Sequence, residues 1–321
     1  MNRSAFLSSS DLPLTQMRNA DRSPQRTAPA AEMAADPDDL VARALSILSQ
    51  DNNSKVQNRS PPGPNAVQSQ SAHPPNIVRQ SRAQSADLKL QRRMLSDGTE
   101  CPLPIRYFDV QCLVATFLTD LDRAAGLLKG TGLQPVSQED GKGVVLLYCI
   151  EYRITDIGPY NEVGLTIVAT APRDPIPANY VLDLPVTTAV ARRIGREIWG
   201  YNKFLAAIDV RSNDKRFSTI LRETDREIIG TFEGERGVSI ATAPADILTF
   251  TMFKGKLLKT VIRVLTPSHV SSGQKFVFKI GKSRHPMTDH LRALALDGAR
   301  PAFVEYADPF QALLFPGGIL V

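Results

Sequence analysis

Apolar residues beyond position 100 recur with two different periods. Alternating or continuous apolar runs predict strands over Asp109–Leu118, Gly143–Ile154 and Val163–Thr170. The run Val144 to Ile150 is wholly apolar, which suits a strand buried on both faces and is far too short to span a bilayer. Gly158 and Pro159 mark the turn between the second and third strands, and Pro172 to Pro177 reads as a proline-rich loop. Further strands are expected at Arg216–Arg222, Glu227–Glu233, Leu248–Phe253, Lys259–Leu265, Gln274–Ile280, Ala302–Tyr306 and Phe310–Phe315. The helical period predicts Leu121–Leu128, capped by Thr119-Asp120 and stopped near Gly130, then Thr187–Trp199, then Met287–Leu296. In the second helix Val190, Ile194 and Ile198 lie along one face, Thr187 or Thr188 serves as N-cap, and Gly200 takes the left-handed stop position. A strand from Lys203 to Val210 follows. Many strands with few helices imply an α+β, mostly antiparallel fold: a closed or nearly closed β-barrel around a cavity, flanked by a few helices.

The first hundred residues carry a different pattern. Phe6 is the only aromatic residue before Tyr107, and Ser, Gln, Asn, Arg and Pro dominate. Such a segment buries too little apolar surface to offset the entropy of ordering. Residues 1–100 are therefore expected to be a disordered arm, and residues 101–321 the barrel domain. Within the arm, Leu40, Ala44, Leu45 and Leu48 follow a helical period, so a short helix is expected over 38–50. It is either transient or a docking peptide for a partner.

Composition narrows the function classes. The chain has 321 residues, 42% hydrophobic and 22% charged, enough for one large domain and an appendage. A net charge of +5 is small for this length, and no basic run interleaves with aromatics, so nucleic acid is not indicated. Cys101, Cys112 and Cys149 lack C-x-x-C spacing, which points to free thiols in a reducing, cytoplasmic compartment. The N-terminus has no long apolar core of a secretory type; Arg3, Arg18, Arg22 and Arg26 faintly suggest a presequence, but Asp11 and Asp21 oppose it. No membrane partner, metal or other cofactor is indicated. His285 and His290 are five apart, off the spacing of a helical metal pair, and neither a Walker loop nor a G-x-S-x-G elbow is present.

One segment carries candidate chemistry: Gly195-Arg196-Glu197-Ile198-Trp199-Gly200-Tyr201-Asn202-Lys203-Phe204-Leu205. It places a single lysine at a helix-to-strand junction among Trp199, Tyr201, Phe204, Leu205 and Ile208. An ordinary lysine, with a pKa near ~10.4, is almost wholly protonated at neutral pH, and only the free amine attacks a carbonyl. Burial among apolar groups can hold a lysine neutral and make it a Schiff-base nucleophile. The plainer reading is a solvated strand-end lysine whose stem covers apolar neighbours.

This segment resembles the active-lysine motif of the acetoacetate decarboxylase family, Tyr-Pro-Lys-Lys-Leu preceded by Gly-Arg-Glu, and Lys203 falls on the Schiff-base lysine. Upstream, Tyr160-Asn161-Glu162-Val163-Gly164 resembles the family's Tyr-Thr-Glu-Ser-Gly segment, whose glutamate lies in the active site; the match falls on Glu162. The similarity runs from about Tyr107 to the C-terminus. It implies a cone-shaped β-barrel, a catalytic Lys203 and Glu162, a keto acid or other carbonyl substrate, and a homo-oligomer. Tyr201, Glu151 and Phe204 are the expected substrate-side residues, Glu151 because it lies in the region of a further family glutamate. Tyr201 is equally explained as a core residue.

The chain departs from the family pattern in three places: Asn202 replaces the proline, Phe204 replaces the second lysine, and the substrate-side arginine falls at Leu118 in an ungapped reading. In the family the amine is activated by a cationic neighbour or by desolvation. Without the second lysine, desolvation or a remote charge is left. On a regular strand Phe204 would pack behind Lys203 and help to keep it dry and uncharged. Loss of the arginine leaves a substrate carboxylate without its cation. The implied reaction is Schiff-base decarboxylation of a β-keto acid. The alternatives are an aldolase or dehydratase acting through the same lysine on another carbonyl compound in a biosynthetic pathway, and a non-catalytic small-molecule-binding barrel.

Overall fold

Apolar alternation on both faces makes the longest strands central. The computed structural model describes residues 91–224 and 227–320. Its strands, in chain order, are β1 (Gln91–Met94), β2 (Glu100–Leu103), β3 (Ile105–Asp120), β4 (Gln134–Pro135), β5 (Lys142–Thr155), β6 (Tyr160–Ala171), β7 (Asp174–Asp183), β8 (Ala207–Ser212), β9 (Arg216–Arg222), β10 (Ile228–Glu235), β11 (Ser239–Thr242), β12 (Ile247–Phe253), β13 (Lys256–Val264), β14 (Ser268–Ser272), β15 (Phe276–Ile280), β16 (Phe303–Ala307), β17 (Ala312–Leu314) and β18 (Gly318–Ile319). The helices are α1 (Leu121–Leu127), α2 (Ala189–Trp199) and α3 (Pro286–Ala293). The expected helix over 38–50 lies outside the described residues. Among the described residues, β1 and β2 pair as a hairpin in which Cys101 lies opposite Arg93.

Hydrogen-bonded pairing runs in a circuit: β3 to β5, β5 to β6, β6 to β7, β7 to β12, β12 to β13, β13 to β17 and β17 back to β3. The contacts are antiparallel except β7–β12, which is parallel and short, at Asn179–Thr249 and Tyr180–Phe250. The strand-rich pattern thus yields the antiparallel, ring-closed sheet expected of it. β16, β14 and β11 extend from the far half of β3, and β8, β9, β10 and β15 form a separate sheet.

Two cores lie on the two faces of the ring strands. Leu113, Ala115 and Phe117 of β3, with Val145 and Leu147 of β5, face Phe217, Phe232, Phe276 and Phe278 of the four-stranded sheet and Met287 and Leu291 of α3. Phe117 and Phe232 meet edge to face at 6.1 Å, a favoured ring geometry. The opposite face gathers Val110 and Cys112 of β3, Ile150 and Tyr152 of β5, and Tyr160 of β6 against Ile194, Ile198 and Trp199 of α2. This second core is the one that receives polar chemistry.

Two expectations need correction. The proline-rich stretch 172–177 is not simply a loop, because β7 begins at Asp174. Its ladder with β6 shifts register between Ala169 and Ala171, so Pro175 and Pro177 sit in the irregular stretch, where a missing N–H breaks no regular rung. The strand expected from Lys203 begins only at Ala207. Before it the chain runs alongside the segment around Pro185, held by Leu184 N to Asn202 O at 3.0 Å, Val186 N to Phe204 O at 2.9 Å and Ala206 N to Val186 O at 3.0 Å. No helix among the described residues is long and apolar enough to cross a membrane.

Candidate active site

Helix α2 is built to deliver the segment after it. Thr188 is its N-cap, accepting from Ala191 N at 3.3 Å, and Gly200 ends it at φ 68°, the left-handed conformation that glycine adopts without cost. A side chain at 200 would also collide with Phe253, whose ring carbon lies 2.7 Å from where a Cβ would stand. Trp199 is fixed by Nε1 donating to Phe315 O at 2.9 Å. The backbone then turns so that Lys203 N donates to Tyr201 O at 2.7 Å, and the Lys203 side chain folds back across α2. It passes over Gly195: a Cβ there would lie 2.5 Å from both Cδ and Cε of Lys203. Gly195 is therefore the gap in the helix surface through which the lysine stem runs.

The amine ends in the second core. Lys203 is 6% exposed and Glu162 5%, and Nζ donates to Glu162 Oε2 in a buried ion pair. Tyr152 OH donates to the other carboxylate oxygen at 3.3 Å. The Lys203 nitrogen stands 5.6 Å from the Tyr160 ring centroid and 5.9 Å from that of Tyr201, where the ring faces favour a cation. Tyr160 stacks on Tyr152 at 4.2 Å, and Tyr107 lies against Tyr152 at 4.9 Å between ring centroids. Strand parity explains this gathering. β5 and β6 pair Ile150 with Glu162 and Tyr152 with Tyr160, so all four side chains share one face.

Burial sets the acidity of this wall. It pushes the phenols of Tyr107, Tyr152 and Tyr160 well above their usual value, and the nearby Glu162 carboxylate pushes them further. Burial likewise raises Tyr201 and the thiol of Cys112. These groups therefore stay protonated at neutral pH, and the phenols can serve as hydrogen-bond donors. Chemically, the arrangement buries one amine and one carboxylate together among several neutral phenols.

The structure brings Lys203, Glu162 and Tyr201 together. Tyr201 serves as a wall: its ring stacks on Trp199 at 6.0 Å and its hydroxyl is 3.1 Å from Thr249 Oγ1. Phe204 packs against the other core, where it stacks on His285 at 4.0 Å. Glu151 is not brought to the site. It pairs in register with Gln111 and Asn161, on the face opposite Ile150 and Tyr152, and lies 4.0 Å from Arg153. Its neighbour in sequence faces inward, so Glu151 cannot. Leu118 lies at the far end of β3, 44% exposed. Among the described residues, the cation paired with Glu162 is Lys203. No group of three or more His, Cys, Asp or Glu among them is placed to hold a metal.

A second set of residues positions the lysine and was not foreseen. Asn202 Nδ2 donates to Leu182 O at 2.8 Å and to Asp183 Oδ1 at 3.1 Å. Asp183, 1% exposed, meets His290 Nδ1 through its other oxygen at 2.7 Å. The end of β7 and helix α3 thereby grip the residue just before Lys203. Proline would fix this position through its ring; asparagine fixes it through hydrogen bonds. A hint was available in Asn202 itself, a residue able to bond two backbone-side acceptors at once. Its partners, nineteen or more positions away, were not visible.

Comparison with known proteins extends this picture. A family model described as acetoacetate decarboxylase matches residues 94–263, more than half of the chain. Among solved structures, the acetoacetate decarboxylase of Legionella pneumophila is similar, with 14% identity and a TM-score of 0.54, over 79% of this chain and 98% of that one. The enduracididine biosynthesis enzyme MppR complexed with pyruvate is similar at 15% identity and a TM-score of 0.54, over 70% and 93% of the two chains. MppR complexed with the condensation product of pyruvate and imidazole 4-carboxaldehyde is similar at 15% identity and a TM-score of 0.52, over 68% and 90%. No curated protein matches the sequence.

Proposed function

The chain belongs to the acetoacetate decarboxylase family, and on that premise we propose that it is a Schiff-base lyase in which Lys203 attacks the ketone of a small β-keto acid. The observation that carries this reading is the buried contact of Lys203 with Glu162 inside a wall of tyrosines. A lysine serving only solubility or packing would keep its ammonium in water.

The Lys203 ammonium passes a proton to Glu162, and the free amine adds to the ketone carbon. The carbinolamine loses water to give an iminium. The bond to the carboxylate carbon then breaks, carbon dioxide leaves, and the electron pair flows into the enamine. Protonation at carbon and hydrolysis return the amine. The iminium takes up the developing carbanion charge and is the main source of acceleration. Glu162 is the group within reach to receive and return protons, while Tyr152 steadies its second oxygen.

A second reading keeps the lysine and changes the reaction. Among the described residues the ion pairs leave Glu162 with Lys203 alone, so a substrate carboxylate meets a carboxylate before it meets a free cation. That favours a less charged carbonyl compound, in aldol, retro-aldol or dehydration chemistry. The complex of MppR with the condensation product of pyruvate and imidazole 4-carboxaldehyde is in keeping with aldol-type chemistry, although not with a less charged substrate. Sheet edges such as those of β8 and β11 are open to self-association, so a homo-oligomer belongs to the proposal.

Borohydride trapping with acetoacetate and with pyruvate, read by mass spectrometry, tests the lysine. Reductive labelling is expected at Lys203 and is expected to vanish in Lys203→Ala. Carbon dioxide release from acetoacetate then separates the two reactions. No labelling with any carbonyl in a ketone and aldehyde panel would leave the non-catalytic binding barrel as the answer.

A further inference from the structure

The face of α2 turned away from Lys203 carries a feature that the proposed chemistry does not use. Arg192, Arg193 and Arg196 lie on that side, and with Arg93 of β1 and Lys254 of the β12–β13 turn they line two adjoining depressions of about 540 and 280 Å3. Two acids share this face, and Glu197 itself lines both depressions. Glu197 accepts from Ser96 N at 2.8 Å and from Ser96 Oγ at 2.6 Å, and Asp97 pairs with Arg193. These contacts pin the β1–β2 turn against α2 and fix one wall. Arg93, Arg192, Arg196 and Lys254 have no carboxylate partner among the described residues.

Two local choices oppose stability in order to gather this charge. Arg192 and Arg196 are four apart on one helix, a spacing at which like charges repel. Lys254 occupies the first of two central turn positions, with φ 51° before Gly255 at φ 75°. Both are left-handed, as in the tight hairpin turn that favours Asn, Asp or Gly at that first place. A lysine is disfavoured there, yet the turn aims one more ammonium at the larger depression, where it lies over Phe253 at 5.3 Å from the ring centroid.

We propose that these depressions form a binding site for a small soluble ligand bearing a diphosphate group. Guanidinium forks match phosphate oxygens two at a time, and several cations around one hollow match several negative charges better than a single carboxylate would. The site is separated from Lys203 by the thickness of α2, whose Ile194 and Ile198 face the lysine side. It therefore stands independently of the proposed Schiff-base reaction, and its test reads binding alone.

Calorimetric titration of the full chain with inorganic pyrophosphate at physiological ionic strength is the experiment. Saturable binding is expected, weakened about tenfold in each of Arg196→Gln and Lys254→Gln, as for loss of one charge-assisted contact. Lys275→Gln, an exposed lysine on another part of the surface, is expected to bind as the parent does. All three are checked for native circular dichroism. Absence of saturable binding, or equal weakening in Lys275→Gln, overturns the site. Sedimentation with phosphatidylglycerol vesicles is the second arm; vesicle binding without pyrophosphate binding would assign the charge to a lipid surface and overturn the soluble ligand.

Discussion

The sharpest test of how the lysine is held is Gly195→Ala. The substitution adds one methyl group to the middle of α2. Built on the present backbone, that carbon stands 2.5 Å from Cδ and Cε of Lys203, about 1 Å inside ordinary carbon–carbon contact. The helix itself would gain, since alanine is better than glycine in a helix interior by about 0.8–1 kcal/mol. Overpacking a filled core costs about 1–3 kcal/mol. The two offset, so net destabilisation should stay under about 2 kcal/mol, a melting shift of a few degrees for a domain of this size. Reactivity should respond far more. The stem must swing aside by roughly 1 Å, carrying Nζ away from Glu162, and a misplacement of that size costs about a hundredfold in a positioned reaction. The assay is the rate of borohydride-trapped labelling of Lys203 with acetoacetate or pyruvate, alongside the melting temperature. A variant labelled at the parent rate would refute the idea that Gly195 exists to let the lysine pass. So would one that unfolds, because the cost would then lie in the core at large.

Two further outcomes follow from the same contacts. Lys203→Met and Glu162→Leu should each destabilise by about 3–5 kcal/mol, because each strands one buried charge, whereas the double variant should recover most of that loss and can exceed the parent in stability; denaturant titration of the four proteins checks this, and simple additivity would count against a buried ion pair. The His290 imidazole is raised above its ordinary value by its hydrogen bond to Asp183. A raised folded-state value means a stabilising contribution that is complete below about pH 6.5 and fades as pH climbs through the folded value. The melting-temperature difference between the parent and His290→Gln should therefore shrink between mildly acid and alkaline pH; a difference that is flat over that range would show that the Asp183 contact does not depend on the imidazolium.

The polarity pattern made most of the architecture legible, and its failures are instructive. Helix α2 could be read almost to the residue because period, cap and glycine stop agree, and the structure places Thr188 and Gly200 in those roles. β7 was hidden because Pro175 and Pro177 argue against a strand unless the ladder is already irregular there, which depends on β6. Glu151 was misplaced by a single step of parity. Whether it or Ile150 faces Glu162 is settled by register with β6, and a strand alone does not carry that information. The positioning set of Asn202, Asp183 and His290 joins the segment after α2 to the end of β7 and to α3, with Asp183 and His290 separated by 107 positions, so no local signal could join them. Lys203 and Glu162 stand out in the sequence only through their match to two family motifs, because a lone strand-end lysine reads more simply as solvated. The structure adds what no pattern carries: both are buried, on the face where Tyr152 and Tyr160 also point, against the tendency that folds everything else. Among the described residues Lys203 is the one cation that is buried, and that conflict with the apolar interior, more than any propensity, sets it apart.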